Sequence, residues 1–147
     1  MQAVNETDVR TTIDFANRNE IALVGRSGGH SFGGLSTGPG IVLDVSSMNH
    51  VLADPEGQSV SVGAGAKIID IVAALQPTRK AVPSGWCPSV GVAGLALGGG
   101  IGKLSRRYGL TCDHLRSHER QGPEGDWPDG QGLASPAAPW FGPVQAR

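Results

Sequence analysis

Two glycine-rich segments of the chain each carry one nucleophilic side chain. The first, Val24-Gly25-Arg26-Ser27-Gly28-Gly29-His30-Ser31-Phe32-Gly33-Gly34, centres on His30. The second runs Pro83-Ser84-Gly85-Trp86-Cys87-Pro88-Ser89-Val90-Gly91-Val92-Ala93-Gly94-Leu95-Ala96-Leu97-Gly98-Gly99-Gly100-Ile101-Gly102 and carries Cys87. Glycine lets backbone approach a ligand closely, so two such loops suggest main-chain N–H groups cradling phosphates. An imidazole and a thiol beside the cradled group add two atoms able to form bonds to it. The pattern points to a tightly held dinucleotide cofactor, with covalent attachment within its chemistry. Neither loop has the Gly-x4-Gly-Lys-Ser/Thr spacing of a nucleotide-hydrolysing loop.

The elements flanking these loops are readable from periodicity and breakers. Asn5 or Thr7 can cap a helix running to about Asn19, with Val9, Ile13 and Ala16 on one face. The run from Ile21 to Val24 predicts a short buried strand feeding the first loop. A second strand is expected over Ile41 to Val45, with a turn between Ser46 and Asn49. Two more strands follow on either side of the Asp54-Pro55-Glu56-Gly57 turn. Ala66 to Leu75 carries Ile68, Ile69, Ile71, Val72 and Leu75 at helical spacing, and Pro77 stops that helix. This order of elements predicts an α+β fold.

Bulk properties narrow the class. With 147 residues there is room for one domain and a modest core. The net charge of −1 gives no basic field for nucleic acid or an anionic membrane surface. Glycine numbers 23, about twice the usual share, while aromatic residues are only 5%, which fits a loop-built binding surface. No apolar run is long enough to span a bilayer, and the N-terminus reads as no signal peptide. Two cysteines make no disulfide framework, and a cytoplasmic setting is compatible with them. From Arg116 onward proline and glycine interrupt every regular pattern, so residues 116–147 are expected to be a Pro/Gly-rich, disordered tail.

The two loops also carry a family resemblance. Arg26-Ser27-Gly28-Gly29-His30-Ser31 resembles the first flavin-binding loop of the vanillyl-alcohol-oxidase-type FAD-binding fold, the PCMH-type domain. Gly85 to Gly94, followed by Leu97-Gly98-Gly99-Gly100-Ile101-Gly102, resembles the second loop of its berberine-bridge-enzyme-like branch. Ser61-Val62-Gly63-Ala64-Gly65-Ala66 is similar to the strand-to-helix corner between them, and Leu104 to Asp113 extends the match. The order is collinear over roughly residues 5–115. The resemblance implies a partial FAD-binding PCMH-type domain over residues 1–115.

It also implies roles for individual residues. His30 would be the attachment point for the flavin 8α-methyl carbon and Cys87 for C6. The backbone of Ser27, Gly28, Gly29 and Ser31 would hold the pyrophosphate, with Arg26 supplying charge. Gly91, Gly94, Gly98, Gly99, Gly100 and Gly102 would line the second wall. Gly85, Pro88, Val90, Tyr108, Gly109 and Leu110 complete the expected FAD-binding set. Each residue has a plainer reading. His30 could be a loop histidine bonded to backbone, Cys87 a small buried hydrophobe, Arg26 a solvated surface residue, and the glycines tight-turn positions. A zinc constellation of Cys112, His114 and His118, with Cys87 as fourth ligand, competes for the thiols but is irregularly spaced.

Relatives of this type oxidise hydroxyl-bearing substrates such as sugars or alkaloid-like alcohols, passing a hydride to flavin N5 and using oxygen as acceptor. In them, later strands close the FAD domain and a substrate domain supplies the catalytic base. No such base is identifiable here. The expectation is therefore the FAD-binding portion of a flavin-dependent oxidoreductase, as a gene fragment or a chain that leaves its frame near residue 116. The alternative is a non-catalytic flavin-binding remnant. An open cavity would leave the isolated chain binding FAD weakly or not at all.

Overall fold

The computed structural model describes residues 1–56, 58–118 and 144–146. Helix α1 spans Glu6–Arg18. Its start is fixed by the Asn5 Oδ1 that accepts from the Asp8 N–H at 2.9 Å, while Asp8 Oδ2 accepts from the Val4 N–H at 2.9 Å. These bonds satisfy main-chain donors that a helix start leaves open. Val9, Ile13 and Ala16 are buried, as the spacing predicts, and Thr12 joins them on that face.

Strands β1 (Leu23–Arg26) and β2 (Ile41–Asp44) pair in parallel, with Leu23 opposite Ile41 and Arg26 opposite Asp44. Residues 1–3 lie along the other edge of β2. The Ala3 N–H donates to the Asp44 carbonyl and the Asp44 N–H to the Met1 carbonyl, both at 2.8 Å. Helix α1 packs on this layer, and Val9, Ile13, Leu43, Val45, Met48 and Ala64 form one core cluster. Full burial of a valine or leucine stabilises by about 1.5–3 kcal/mol, so this layer rests on a handful of side chains.

The second layer is antiparallel. Strands β3 (Val51–Ala53) and β4 (Val60–Val62) form the expected hairpin, with Val51 opposite Val62. Helix α2 (Ile68–Leu75) follows and buries Ile68, Ile71 and Leu75 against them, while Ile69 and Val72 stay exposed. Pro77 lies in a 3-10 turn, Gln76–Thr78, directly after the helix.

Two findings depart from the sequence reading. Residues 116–118, placed in the tail, belong to strand β5 (Leu115–His118), and residues 144–146 form β6 (Val144–Ala146). The second sheet runs β3-β4-β6-β5, so β6 inserts between β4 and β5. Strand pairing is made by main-chain groups, and side-chain composition does not report it. Residues 119–143, the greater part of the expected tail, lie outside the described residues. Helices α3 (Val92–Leu97) and α4 (Ser105–Tyr108) also emerge from a stretch that reads as loop.

Candidate FAD site

One corner of the chain positions both glycine loops. Residues 63–67 lead from β4 into α2, and the Ser27 hydroxyl donates to the Ala64 carbonyl at 2.6 Å. The second loop is stitched to the same place. The Val92 N–H donates to the Ala66 carbonyl at 2.9 Å, and Lys67 bridges Gly91 in antiparallel fashion. The Ile68 and Ile69 N–H groups donate to the Val90 and Pro88 carbonyls, both at 3.0 Å. Thus Pro88 and Val90 are held by the first turn of α2, Gly91 by Lys67 just before it, and Ser27 by Ala64 in the same corner.

The loops meet backbone to backbone at Gly28 and Gly91. A methyl group at Gly91 would collide with the Ser27 hydroxyl and the Gly28 nitrogen, and one at Gly28 would meet the Gly91 backbone. These two glycines serve the contact between the loops, which is the plainer of the readings weighed for them. Gly94 is different. It sits inside α3, is exposed, and a methyl group there would meet nothing within 4 Å. Glycine inside a helix costs about 1 kcal/mol relative to alanine. Nothing among the described residues requires that cost, so the open space over Gly94 fits the close approach of another molecule.

The nucleophiles converge. His30 Nε2 lies 3.0 Å from the Ser89 hydroxyl, and Cys87 Sγ lies 3.6 Å from the same oxygen. Residues far apart in sequence therefore place an imidazole and a thiol around one hydroxyl. His30 is exposed and Cys87 half-buried, so neither is the buried or backbone-bonded residue of its plainer reading. The main-chain N–H groups of Gly29, His30 and Ser31 donate to no other group among the described residues. Such a run of exposed N–H groups suits a phosphate oxygen. The Ser31 hydroxyl accepts from the Leu35 N–H at 3.1 Å and shapes the loop's return.

Arg26 is paired within the chain. Its Nε lies 3.8 Å from Asp44 Oδ2, and its guanidinium packs beside Gly29. Burial pushes the Asp44 carboxyl up. The Ser46 hydroxyl and N–H, the Arg26 guanidinium and the N-terminal ammonium outweigh it and hold the group below its ordinary value.

The remaining predicted residues form the far side of the second loop. Gly85 packs against Leu95, and Gly102 lies against Ser84. Gly98, Gly99 and Gly100 end α3, and the Gly99 and Gly100 carbonyls accept from the Cys112 and Thr111 N–H groups at 3.0 Å. Tyr108 and Gly109 close α4, and the Leu110 N–H donates to Asp113 Oδ2 at 2.8 Å. Tyr108, Gly109 and Leu110 are held against Gly99 and Gly100 through Thr111, not against His30. Phe32, Leu35, Trp86, Leu97, Ile101 and Tyr108 leave large apolar surfaces exposed on these loops, so the site is an open face. An open depression of ≈ 470 Å³ lies elsewhere, between the start of α1 and residues 47–50, and touches none of these groups.

Of the zinc constellation, Cys87 joins His30 and Ser89, while His114 Nε2 donates to the Tyr108 carbonyl at 2.7 Å. The side chain of His118 is outside the described residues. Among the described residues no three His, Cys, Asp or Glu side chains gather as metal ligands. Ser89 and Ala64 lie within motifs but carry no sequence signal for these contacts, and neither does Asp44 as the partner of Arg26.

A mixed α/β scaffold that presents two glycine loops, open main-chain donors and paired nucleophiles is that of a flavin-binding domain. The family model described as "FAD binding domain" matches residues 1–127. The chain belongs to that family, and its relatives include proteins named FAD-linked oxidoreductase and berberine bridge enzyme-like. It is 40% identical over 119 residues to FAD-linked oxidoreductase hasG of Aspergillus fumigatus, covering 80% of this chain and 25% of the relative. It is 36% identical over 118 residues to Berberine bridge enzyme-like 5 of Arabidopsis thaliana, covering 77% and 22%. Among solved structures, BBE-like 1 of Physcomitrella patens superposes with a TM-score of 0.85 at 25% identity, covering 99% of this chain and 35% of that one. The chain spans about a quarter of the length of the curated relatives it matches. No helix among the described residues is long and apolar enough to cross a membrane.

Proposed function

We propose that FAD lies across the face formed by residues 26–31 and 85–102, within residues 1–115, and that His30 and Cys87 are its attachment points. The observation that carries this reading is their convergence on Ser89; the open space over Gly94, in the same second loop, agrees with it. Gly29, His30 and Ser31 offer main-chain donors to the pyrophosphate. Arg26, already balanced by Asp44, lends the loop a local positive edge. Gly98, Gly99, Gly100, Tyr108, Gly109 and Leu110 form the far wall.

Attachment at His30 would join an imidazole nitrogen to the 8α-methyl carbon, and attachment at Cys87 would join sulfur to ring carbon C6. Each new bond replaces an N–H or S–H and one C–H, releasing two hydrogens that dioxygen accepts to form hydrogen peroxide. Once bound, FAD supplies hydride acceptance at N5 and reoxidation by dioxygen. The whole protein is then an oxidase of hydroxyl-bearing substrates, in which the carbon gives up a hydride and the hydroxyl a proton. This chain's own share is to anchor and orient the ring.

The experiment is to produce the chain with FAD, unfold it in denaturant, and follow the flavin by absorbance and mass. Because both anchors lie in this chain, a covalent link would hold flavin even where the open face by itself binds it weakly, so flavin is expected to stay with the polypeptide. His30→Ala and Cys87→Ala should each keep the other link, and the double variant should release flavin. Flavin that leaves the wild type on unfolding overturns the attachment. A chain that takes up no flavin overturns the placement of the site.

A further inference from the structure

Ser89 stands between the two nucleophiles, and nothing in the packing of the described residues requires its hydroxyl. The side chain is exposed, and its oxygen's partners are His30 Nε2 at 3.0 Å and Cys87 Sγ at 3.6 Å. Its position is nevertheless fixed from both sides. The Pro88 carbonyl accepts from the Ile69 N–H and the Val90 carbonyl from the Ile68 N–H, both at 3.0 Å. The Val90 N–H donates to the Cys87 carbonyl at 3.3 Å, so the chain turns there and brings the Ser89 side chain back beside Cys87. The first turn of α2 thus holds the peptide units on both sides of a residue whose hydroxyl, among the described residues, meets His30 and Cys87.

A hydroxyl has one proton to give and lone pairs to receive another, so it can link two groups of unlike need. We propose that Ser89 is a positioning residue for flavin attachment: its oxygen accepts the N–H of His30 Nε2 and its proton is directed at Cys87 sulfur. The hydroxyl then holds imidazole and thiol on one side of the loop pair. It also stabilises the thiolate, the form of cysteine that attacks carbon. This inference deepens the FAD reading and takes its purpose from it, but its geometry belongs to the chain alone.

The test uses the full chain without flavin and measures the alkylation rate of Cys87 by iodoacetamide near neutral pH. Cys112, in the same molecule, serves as the reference thiol. Ser89→Ala is expected to slow Cys87 about tenfold, the size of one hydrogen bond to a charged group, and to leave Cys112 unchanged. Ser89→Thr, which restores a hydroxyl, should return the rate to within about threefold of wild type. In the His30→Ala background the effect of Ser89→Ala should shrink, because the two changes interrupt one chain of bonds. The thermal midpoint should be the same in all the Ser89 variants.

Equal Cys87 rates in wild type and Ser89→Ala would overturn the proposal, as would an equal slowing of Cys112 or failure of threonine to rescue. The denaturation assay on the same variants separates this from the parent reading. Normal flavin retention with no Ser89 effect on the thiol sinks Ser89 and leaves the anchors standing. A Ser89 effect on the thiol in a chain that never takes up flavin sustains the alignment and sinks the FAD reading.

Discussion

The two glycine loops look alike in sequence and differ in what their glycines are for. The second loop is woven into the core: Gly91 and Gly100 are buried, and α3 sends Val92, Ala93 and Ala96 into the interior. The first loop is tied down at few points. Ser27 reaches Ala64, Arg26 faces Asp44, and His30 meets Ser89. Beyond His30 its residues are exposed through Leu35. A glycine-rich motif is therefore not one kind of signal. Some of its positions hold the fold together, and others leave room for something outside the chain.

That contrast can be broken by substitution. The largest effect is expected at Gly91→Ala, where the new methyl group would collide with Ser27 and Gly28. Forcing atoms into a packed contact of this kind costs about 3 kcal/mol, visible as a lower denaturation midpoint. A midpoint equal to wild type would show that the loops part easily. Next comes Ser27→Ala, which removes the donor to the Ala64 carbonyl and should cost about 1 kcal/mol. No loss there would mean that the first loop is carried by its other ties.

Gly94→Ala should move in the opposite direction. With open space around it and a helix to continue, alanine is expected to stabilise by about 0.7 kcal/mol while weakening FAD binding. Destabilisation, or FAD binding unchanged, would remove Gly94 from the site. The smallest effect belongs to Asp44→Asn. The Asp44 carboxyl is held below its ordinary value of 3.8, so the charged form contributes stability above that pH and loses it as pH falls through the depressed value. The pair is partly exposed and screened, so the variant should cost no more than about 0.5 kcal/mol at neutral pH. Its deficit should close in acid. A deficit that grows on acidification would reverse the assigned sign.

Much of this arrangement is legible in the sequence because local chemistry writes it there. Asn5 as a cap, the spacing of Val9, Ile13 and Ala16, the turn at Asp54 and the stop at Pro77 are short-range signals, and the structure bears them out. The family and its cofactor are also legible, since the two loops are contiguous motifs. Helix α3 is not, because Gly91, Gly94 and Gly98 mask its propensity while tertiary packing of Val92, Ala93 and Ala96 supplies what propensity lacks. The pairing of β5 with β6 joins residues distant in sequence through backbone alone, and composition is silent about it. Ser89 was hidden for a related reason. Its role rests on a contact with His30 across 59 positions, and no spacing rule reports such a distance.

The central claim is that FAD occupies the face where His30 and Cys87 converge. The most direct measurement is the alkylation rate of the two thiols with and without excess FAD, followed by peptide mass analysis. FAD is expected to protect Cys87, whose sulfur faces the site, and to leave Cys112, at the far edge of the second loop, reacting as before. Equal rates at Cys87 in the presence and absence of FAD, or protection of Cys112 instead, would contradict the account.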